Sequence, residues 1–323
     1  MRFIREQEVA ELLPLEAAID CVERAFRDYA AGLAFDVPRE RTKTEFGSLH
    51  VLQAASKTLN AIGFKAYYPG RGARTFLVHL INLEVGNLEA IIEADEMGIR
   101  RTGAATAVAT RALARADASV LACFGSGRHA VTQLKSVCAV RAISEVRVYG
   151  RSQERLRAFR DEVQAGTGIA VTIAASPEQA LDGADIVNIV TRAEAPVFDG
   201  KLIAEGQHIN AVGSNALHRR EIDLAAIQAA DIVVVDSVDV AQRECGDLLP
   251  AIEGGLLHWR NVPDLGAILS GGAAGRTSAR QITLFESQGM GIQDIYAGKY
   301  VLDAAARGDI GLRIPIESRP GKR

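Results

Sequence analysis

At 323 residues, with 37 Lys plus Arg against 40 Asp plus Glu, the chain has the length of about two domains and no broad positive field to draw nucleic acid or an anionic membrane. No apolar run reaches membrane-spanning length and the opening Met1-Arg2-Phe3-Ile4-Arg5-Glu6 lacks a signal-peptide core, so a cytoplasmic protein is expected. Cys21, Cys123, Cys138 and Cys245 lie far apart without metal-ligand spacing, which predicts buried thiols and no metal.

After a short opening strand, Leu15, Ala18, Ile19, Val22, Phe26 and Tyr29 recur at helical spacing behind Pro14, a residue suited to a helix start. Residues 37–93 alternate apolar runs with turns, and strands are expected over 48–54, 61–68, 75–83 and 88–93 in an antiparallel or mixed sheet. Within this region Val37-Pro38-Arg39-Glu40-Arg41 reads either as a rigid turn aiming a guanidinium fork at a carboxylate or as a solvated loop. Lys65 interrupts the run Ile62-Gly63-Phe64-Lys65-Ala66-Tyr67. Desolvated, it would carry a proton, because burial lowers a lysine's pKa; strand alternation by itself favours a lysine facing water. The Ala-rich residues 102–115 predict a packed helix with an exposed, amide-rich N-terminus at Thr102. Arg100 and Arg101 would then precede the helix, to meet an anion or simply to flank its cap.

Beyond it, strands at 120–124, 146–149, 170–174, 186–190, 208–212 and 232–236 alternate with helical stretches, which predicts a doubly wound parallel sheet of six strands. The first ends in Phe124-Gly125-Ser126-Gly127-Arg128-His129-Ala130. Gly125 would allow a sharp turn, Gly127 would let the amides at the next helix start approach a pyrophosphate, and Ala130 would permit close helix-to-strand packing. Ser126, Arg128 and His129 are candidate cofactor contacts at the same turn. The second strand runs into Tyr149-Gly150-Arg151-Ser152, where an NAD site usually carries Asp or Glu for the ribose hydroxyls. Gly150 leaves room there, and Arg151 and Ser152 supply donors for a 2′-phosphate, so NADP(H) is favoured over NAD(H). The competing reading of Arg151 is a solvated charge at a strand end. Helical periodicity returns over residues 292–305, and this tail is expected to pack back on the first domain.

Several segments, in order and spacing, resemble the ornithine cyclodeaminase and μ-crystallin family. They are Gly63-Phe64-Lys65, Glu93-Ala94-Asp95 leading to Arg101-Thr102-Gly103-Ala104-Ala105, Phe124-Gly125-Ser126-Gly127, Ile209-Asn210-Ala211-Val212-Gly213-Ser214-Asn215, and Arg220-Glu221-Ile222-Asp223. Gly246-Asp247-Leu248, Leu265-Gly266 and Ile282-Thr283-Leu284-Phe285 with Ser287 and Gly289 extend the resemblance over nearly the whole chain.

The resemblance implies an α/β protein in which a Rossmann-type parallel sheet, residues 116–289, is inserted after an α+β substrate and dimerisation domain, residues 1–115 with 290–323. It implies a homodimer. It also implies that Lys65 is the active-site lysine, that Arg101 meets a substrate carboxylate near the cofactor, and that Arg39 does so from a proline-arginine segment, with Arg41 as alternative. Thr75, Thr102, Ser126, Gly127, Thr191 and Val212 match positions lining the cofactor. Two positions depart from the pattern. Asn215 stands where cyclodeaminating members carry an aspartate, and an amide cannot take a proton from water or an amine. His129 stands where many members have Gln, and nothing in the sequence explains that change.

The function this implies is NAD(P)H-dependent reduction of a small cyclic imino acid of the Δ1-pyrroline-2-carboxylate or ketimine type, giving proline or an analogue. The family also holds ornithine cyclodeaminases, archaeal-type alanine dehydrogenases and ligand-binding members, which supply the rival expectations.

Overall fold

The computed structural model describes residues 1–69, 72 and 74–316, so residues 317–323 of the expected first domain lie outside the described residues. Its chain divides into two compact units, Met1–Arg101 with the segment from Met290 onward, and Thr102–Gly289.

The first unit begins with β1 (Arg2–Ile4), α1 (Glu6–Leu12) and α2 (Leu15–Ala30), with Pro14 at the N-cap of α2. Five strands follow: β2 (Ala34–Thr44), β3 (Gly47–Ser56), β4 (Ala61–Pro69), β5 (Arg74–Asn82) and β6 (Leu88–Glu93). The long helix α3 (Asp95–Leu113) starts in this unit.

The segment expected as a turn around Pro38 is part of β2, an edge strand. Proline lacks a ladder donor and is tolerated at an edge, and here the register with β3 slips between Val37 and Glu40, so the irregularity lies within the strand. The helix expected from Thr102 begins seven residues earlier, at Asp95. Its first amides do not await an anion: the Glu6 carboxylate accepts from Asp95 N at 3.1 Å and from Glu96 N, so an acidic residue from α1 caps the positive end. Arg100 braces the same corner, donating to Glu96 and to the carbonyls of Ala10 and Leu13.

In the second unit the order is β7 (Val120–Phe124), α4 (Arg128–Cys138), β8 (Glu145–Tyr149), α5 (Gln153–Thr167), β9 (Ala170–Ile173), α6 (Pro177–Leu181) and β10 (Ile186–Ile189). After β11 (His208–Ala211) come α7 (Leu224–Ala229), β12 (Ile232–Val235), α8 (Val238–Glu244), α9 (Leu249–Glu253), α10 (Leu265–Leu269) and β13 (Thr283–Glu286). The strands are parallel in the order β12-β13-β11-β10-β7-β8-β9, a doubly wound Rossmann-type sheet. It has seven strands, not six. β13 escaped the sequence reading because its four residues, Thr-Leu-Phe-Glu, are all buried and so do not alternate, a pattern that fits a central parallel strand as well as a buried helix.

The sequence reading put the domain boundary after residue 115, whereas the contact division falls at Arg101/Thr102. The later turns of α3 are bound into the second unit: Thr110 accepts from Asn210 Nδ2 at 3.1 Å, and Arg141 donates to the carbonyls of Thr110, Arg111 and Ala114. The chain returns to the first unit as α11 (Gly291–Gly308) and β14 (Leu312–Arg313). The first sheet runs β14-β1-β6-β5-β4-β3-β2, antiparallel except for the β1–β6 pair. α11 lies on it closely enough that a Cβ at Gly298 would sit 3.3–3.6 Å from Val78, Leu80 and Ile92. The sequence reading anticipated this return.

Candidate functional site

In β4 the buried positions alternate as Ala61, Gly63 and Lys65, while Ile62 is 40% exposed. Of the two readings of Lys65, the desolvated one holds, although strand alternation by itself would turn the side chain to water. Small residues mark that face because α11 presses on it: a Cβ at Gly63 would lie 3.1 Å from Ile295 Cδ1 and 1.9 Å from the His79 carbonyl oxygen. Gly98 makes room from α3, since a Cβ there would lie 3.0 Å from Lys65 Nζ.

Lys65 Nζ donates to Asp294 Oδ1 at 3.1 Å, and Arg101 Nε donates to the same oxygen at 3.0 Å. Arg101 Nη1 donates to Gln293 Oε1 at 2.8 Å. Lys65 and Arg101 are 4% and 6% exposed and Asp294 is fully buried, so this is a desolvated cluster and not a surface pair. Burial lowers the Lys65 pKa to about 8; Asp294 opposes the shift, and Arg101 and Arg39 add to it. A lysine so placed still holds its proton near neutrality yet gives it up far more readily than in water.

Arg39, on β2, is 7% exposed, and Arg41 is half-buried opposite His50. His50, Tyr67 and Phe76 stack across β3, β4 and β5, with centroid separations of 4.5 and 5.0 Å, and Lys65 Nζ lies 5.8 and 5.9 Å from the Tyr67 and Phe76 rings. Burial, then Arg41 and Arg39, lowers the His50 pKa to about 4, so its imidazole is neutral at pH 7. Thr75 lies exposed on β5 opposite Tyr68.

In the second unit, Gly125 ends β7 at φ +108°, where a Cβ would come 2.4 Å from the Val190 carbonyl oxygen. Gly127 is the N-cap of α4 and provides no side-chain cap; a Cβ there would meet nothing within 4 Å. Packing does not demand that glycine. What it leaves is an open cradle before the positive end of an 11-residue helix, which fits a pyrophosphate. Ser126 is half-buried, Arg128 and His129 are exposed, and Ala130 is fully buried against the sheet. Gly150, Arg151 and Ser152 follow β8, with Ser152 capping α5 through Arg155 N. Thr191 follows β10, and Val212 and Asn215 follow β11. Thr102, half-buried in α3, is the first residue of this unit. The candidates on the sheet thus lie at the carboxyl ends of four adjacent strands, β11-β10-β7-β8, which include the switch point between β10 and β7 where such sheets bind ligands.

Two residues at these sites went unrecognised. Asp294 could have been found, since it lies on the same helical stripe as the buried Gly298, Val301 and Ala305, where a carboxylate demands a partner. Glu221, fully buried, accepts hydrogen bonds from Thr191 N at 2.8 Å, from the Thr191 hydroxyl and from Gly213 N at 2.8 Å. No periodicity signals it. The fold also gathers ligand atoms of Cys245, Asp247 and Glu286 within 4.8 Å of one another, a grouping that sequence spacing did not announce. Burial raises the pKa of all three, and the Cys245 thiol donates to Glu286.

The ornithine cyclodeaminase/mu-crystallin family model matches residues 2–309. A Delta(1)-pyrroline-2-carboxylate reductase of Bacillus cereus is 35% identical over 272 residues, 82% of this chain and 83% of that protein. The solved Delta(1)-pyrroline-2-carboxylate reductase of Thermococcus litoralis, in complex with NADH and L-proline, is 29% identical with a TM-score of 0.92, covering 97% of this chain and all of that one (100%). An archaeal alanine dehydrogenase dimer with bound NAD is 28% identical with a TM-score of 0.92, covering 98% and 99%. A match of this extent makes the chain a member of the ornithine cyclodeaminase/mu-crystallin family, whose enzymes act on carbon–nitrogen bonds with a nicotinamide cofactor.

Proposed function

We propose that this protein reduces a small cyclic imino acid of the Δ1-pyrroline-2-carboxylate type to the corresponding amino acid, using NAD(P)H. The observation that carries the reading is the buried cluster of Lys65, Arg101 and Asp294, which pairs a proton donor of lowered pKa with a guanidinium. Bound nicotinamide supplies the hydride. Arg101, with Arg39 or Arg41, binds the substrate carboxylate, and a guanidinium fork fixes its plane. Lys65 Nζ gives its proton to the imine nitrogen, and Asp294 holds that ammonium in place. The stacked wall of His50, Tyr67 and Phe76 suits a flat ring. Asn215, an amide, cannot take a proton from water or an amine as a carboxylate would, which argues against cyclodeamination.

The test is an imine panel run beside ornithine with catalytic NAD. Proline formation from Δ1-pyrroline-2-carboxylate with matching loss of reduced cofactor is expected, and ammonia release from ornithine would point to the cyclodeaminase instead. Stoichiometric NADH from alanine would indicate the dehydrogenase, and tight cofactor binding without oxidation by any imine would indicate a ligand-binding protein.

For the cofactor, Arg151 and the absence of a carboxylate from residues 149–152 favour NADPH, although the two solved relatives described above contain NADH and NAD. Arg151→Ala is expected to weaken NADPH about tenfold and leave NADH nearly unchanged, read by fluorescence titration. Equal losses for both would remove the 2′-phosphate role. A second copy of this chain is the proposed partner: Phe35, Val37, Leu49 and Ile62, all at least 40% exposed, lie on the outer face of β2–β4, and the archaeal relative is a dimer.

A further inference from the structure

Three loops of the second unit meet at the carboxyl edge of its sheet. The glycine turn after β7 lies against the loop after β10, where a Cβ at Gly125 would lie 2.4 Å from the Val190 carbonyl oxygen and 3.3 Å from Thr191 Cγ2. The loop after β10 lies in turn against the loop after β11, where a Cβ at Gly213 would come 2.3 Å from both Thr191 N and Thr191 O. The strand pairing ends at Ile189 and Ala211, with Val212 N donating to the Ile189 carbonyl at 3.0 Å and Val190 N to the Phe124 carbonyl at 2.8 Å, so Thr191 and Gly213 lie just beyond the last ladder hydrogen bonds.

One side chain spans the gap. Glu221 receives Thr191 N and the Thr191 hydroxyl on Oε1 and Gly213 N on Oε2, so each carboxylate oxygen holds a different loop. The Thr191 hydroxyl oxygen also accepts from Ala193 N at 3.1 Å, which fixes its own proton towards Glu221. Glu221 is itself anchored. Asp247 Oδ1 accepts from the amides of Glu221 and Ile222, at 2.5 and 2.9 Å, and a Cβ at Gly246 would strike the Arg219 carbonyl oxygen at 2.2 Å. Burial raises the Glu221 pKa to about 7, with Asp247 adding to the rise; the Thr191 and Gly213 donors oppose it and favour the ionised form.

We propose that Glu221 is the positioning residue of the dinucleotide site, setting the distance between the loops after β10 and β11 against the glycine turn. It touches neither substrate nor reacting atoms; it acts through Thr191 and Gly213. The inference rests on the reading that this unit binds a nicotinamide dinucleotide.

Glu221→Gln is the direct test, because the amide has the same shape but only one acceptor oxygen, so its NH2 must face at least one N–H. The dissociation constants of NADH and NADPH, measured by fluorescence titration on the full chain, are expected to rise at least tenfold, with kcat at saturating cofactor within about twofold of the parent. Thr191→Val, which removes one of the three donors, is expected to give a smaller rise, about threefold, and to add almost nothing in the Glu221→Gln background. Should Glu221→Gln fail to fold, Thr191→Val alone decides: unchanged affinity overturns the proposal. Parent-like affinity in Glu221→Gln, or a loss of kcat with no change in cofactor KM, overturns it as well. A parent protein that binds neither dinucleotide would overturn the cofactor reading itself, and this inference with it.

Discussion

Lys65→Met is expected to lower the rate of imine reduction by about 10³-fold, within the range lost when a positioned general acid is removed. Dinucleotide affinity should not change, because the substitution leaves the glycine turn and the Glu221 contacts to Thr191 and Gly213 unaltered. The substitution leaves Asp294 facing Arg101, so the buried carboxylate keeps one cation, and methionine fills the lysine stem's space between the aromatic wall and Gly98. Steady-state kcat with a parallel cofactor titration separates the two effects. A loss of less than about tenfold, with the cofactor still bound, would falsify the proton-donor role.

Asp294→Asn should act on stability and on pH dependence at once. Removing the anion leaves Lys65 and Arg101 buried without their shared counter-charge, and breaking such a cluster costs about 3 kcal/mol, read as a lower denaturation midpoint. The pH effect follows from the direction of the Lys65 shift. Reduction needs the ammonium form, so activity is present below the Lys65 pKa and lost as pH rises through about 8. Asp294 raises that pKa, so without it the alkaline limb should move to lower pH. A profile that stays at the parent position would mean that Asp294 does not govern the lysine's proton.

The second unit was the more legible part. A parallel strand followed by a glycine turn and a helix obeys strong local rules, and 120–124 was read to the residue, with Gly125 in the left-handed conformation the turn requires. The first unit depends on which sheet face its helices cover. Alternation along β4 by itself turned Lys65 to water, yet Ala61, Gly63 and Lys65 are the residues under α11, so local alternation favoured the wrong face. Lys65 was legible as chemistry, and its burial was one of two readings that the strand alone left open. The start of α3 was missed because the cap is Glu6, nearly ninety residues upstream in α1, and not a local Ser or Thr. Glu221 escaped for a similar reason: its three donors come from segments 30 and 8 residues earlier in the chain.

The thiol beneath the glycine turn adds a practical consequence. Cys123 in β7 is fully buried, its Sγ lies 3.4 Å from the Gly125 carbonyl oxygen, and burial raises its pKa to about 12. In the closed protein an alkylating reagent finds neither access nor thiolate, so modification proceeds through molecules in which that strand has opened. Labelling of Cys123 is therefore a built-in clock for opening beneath the turn, and any ligand that clamps the turn slows it in proportion to its occupancy.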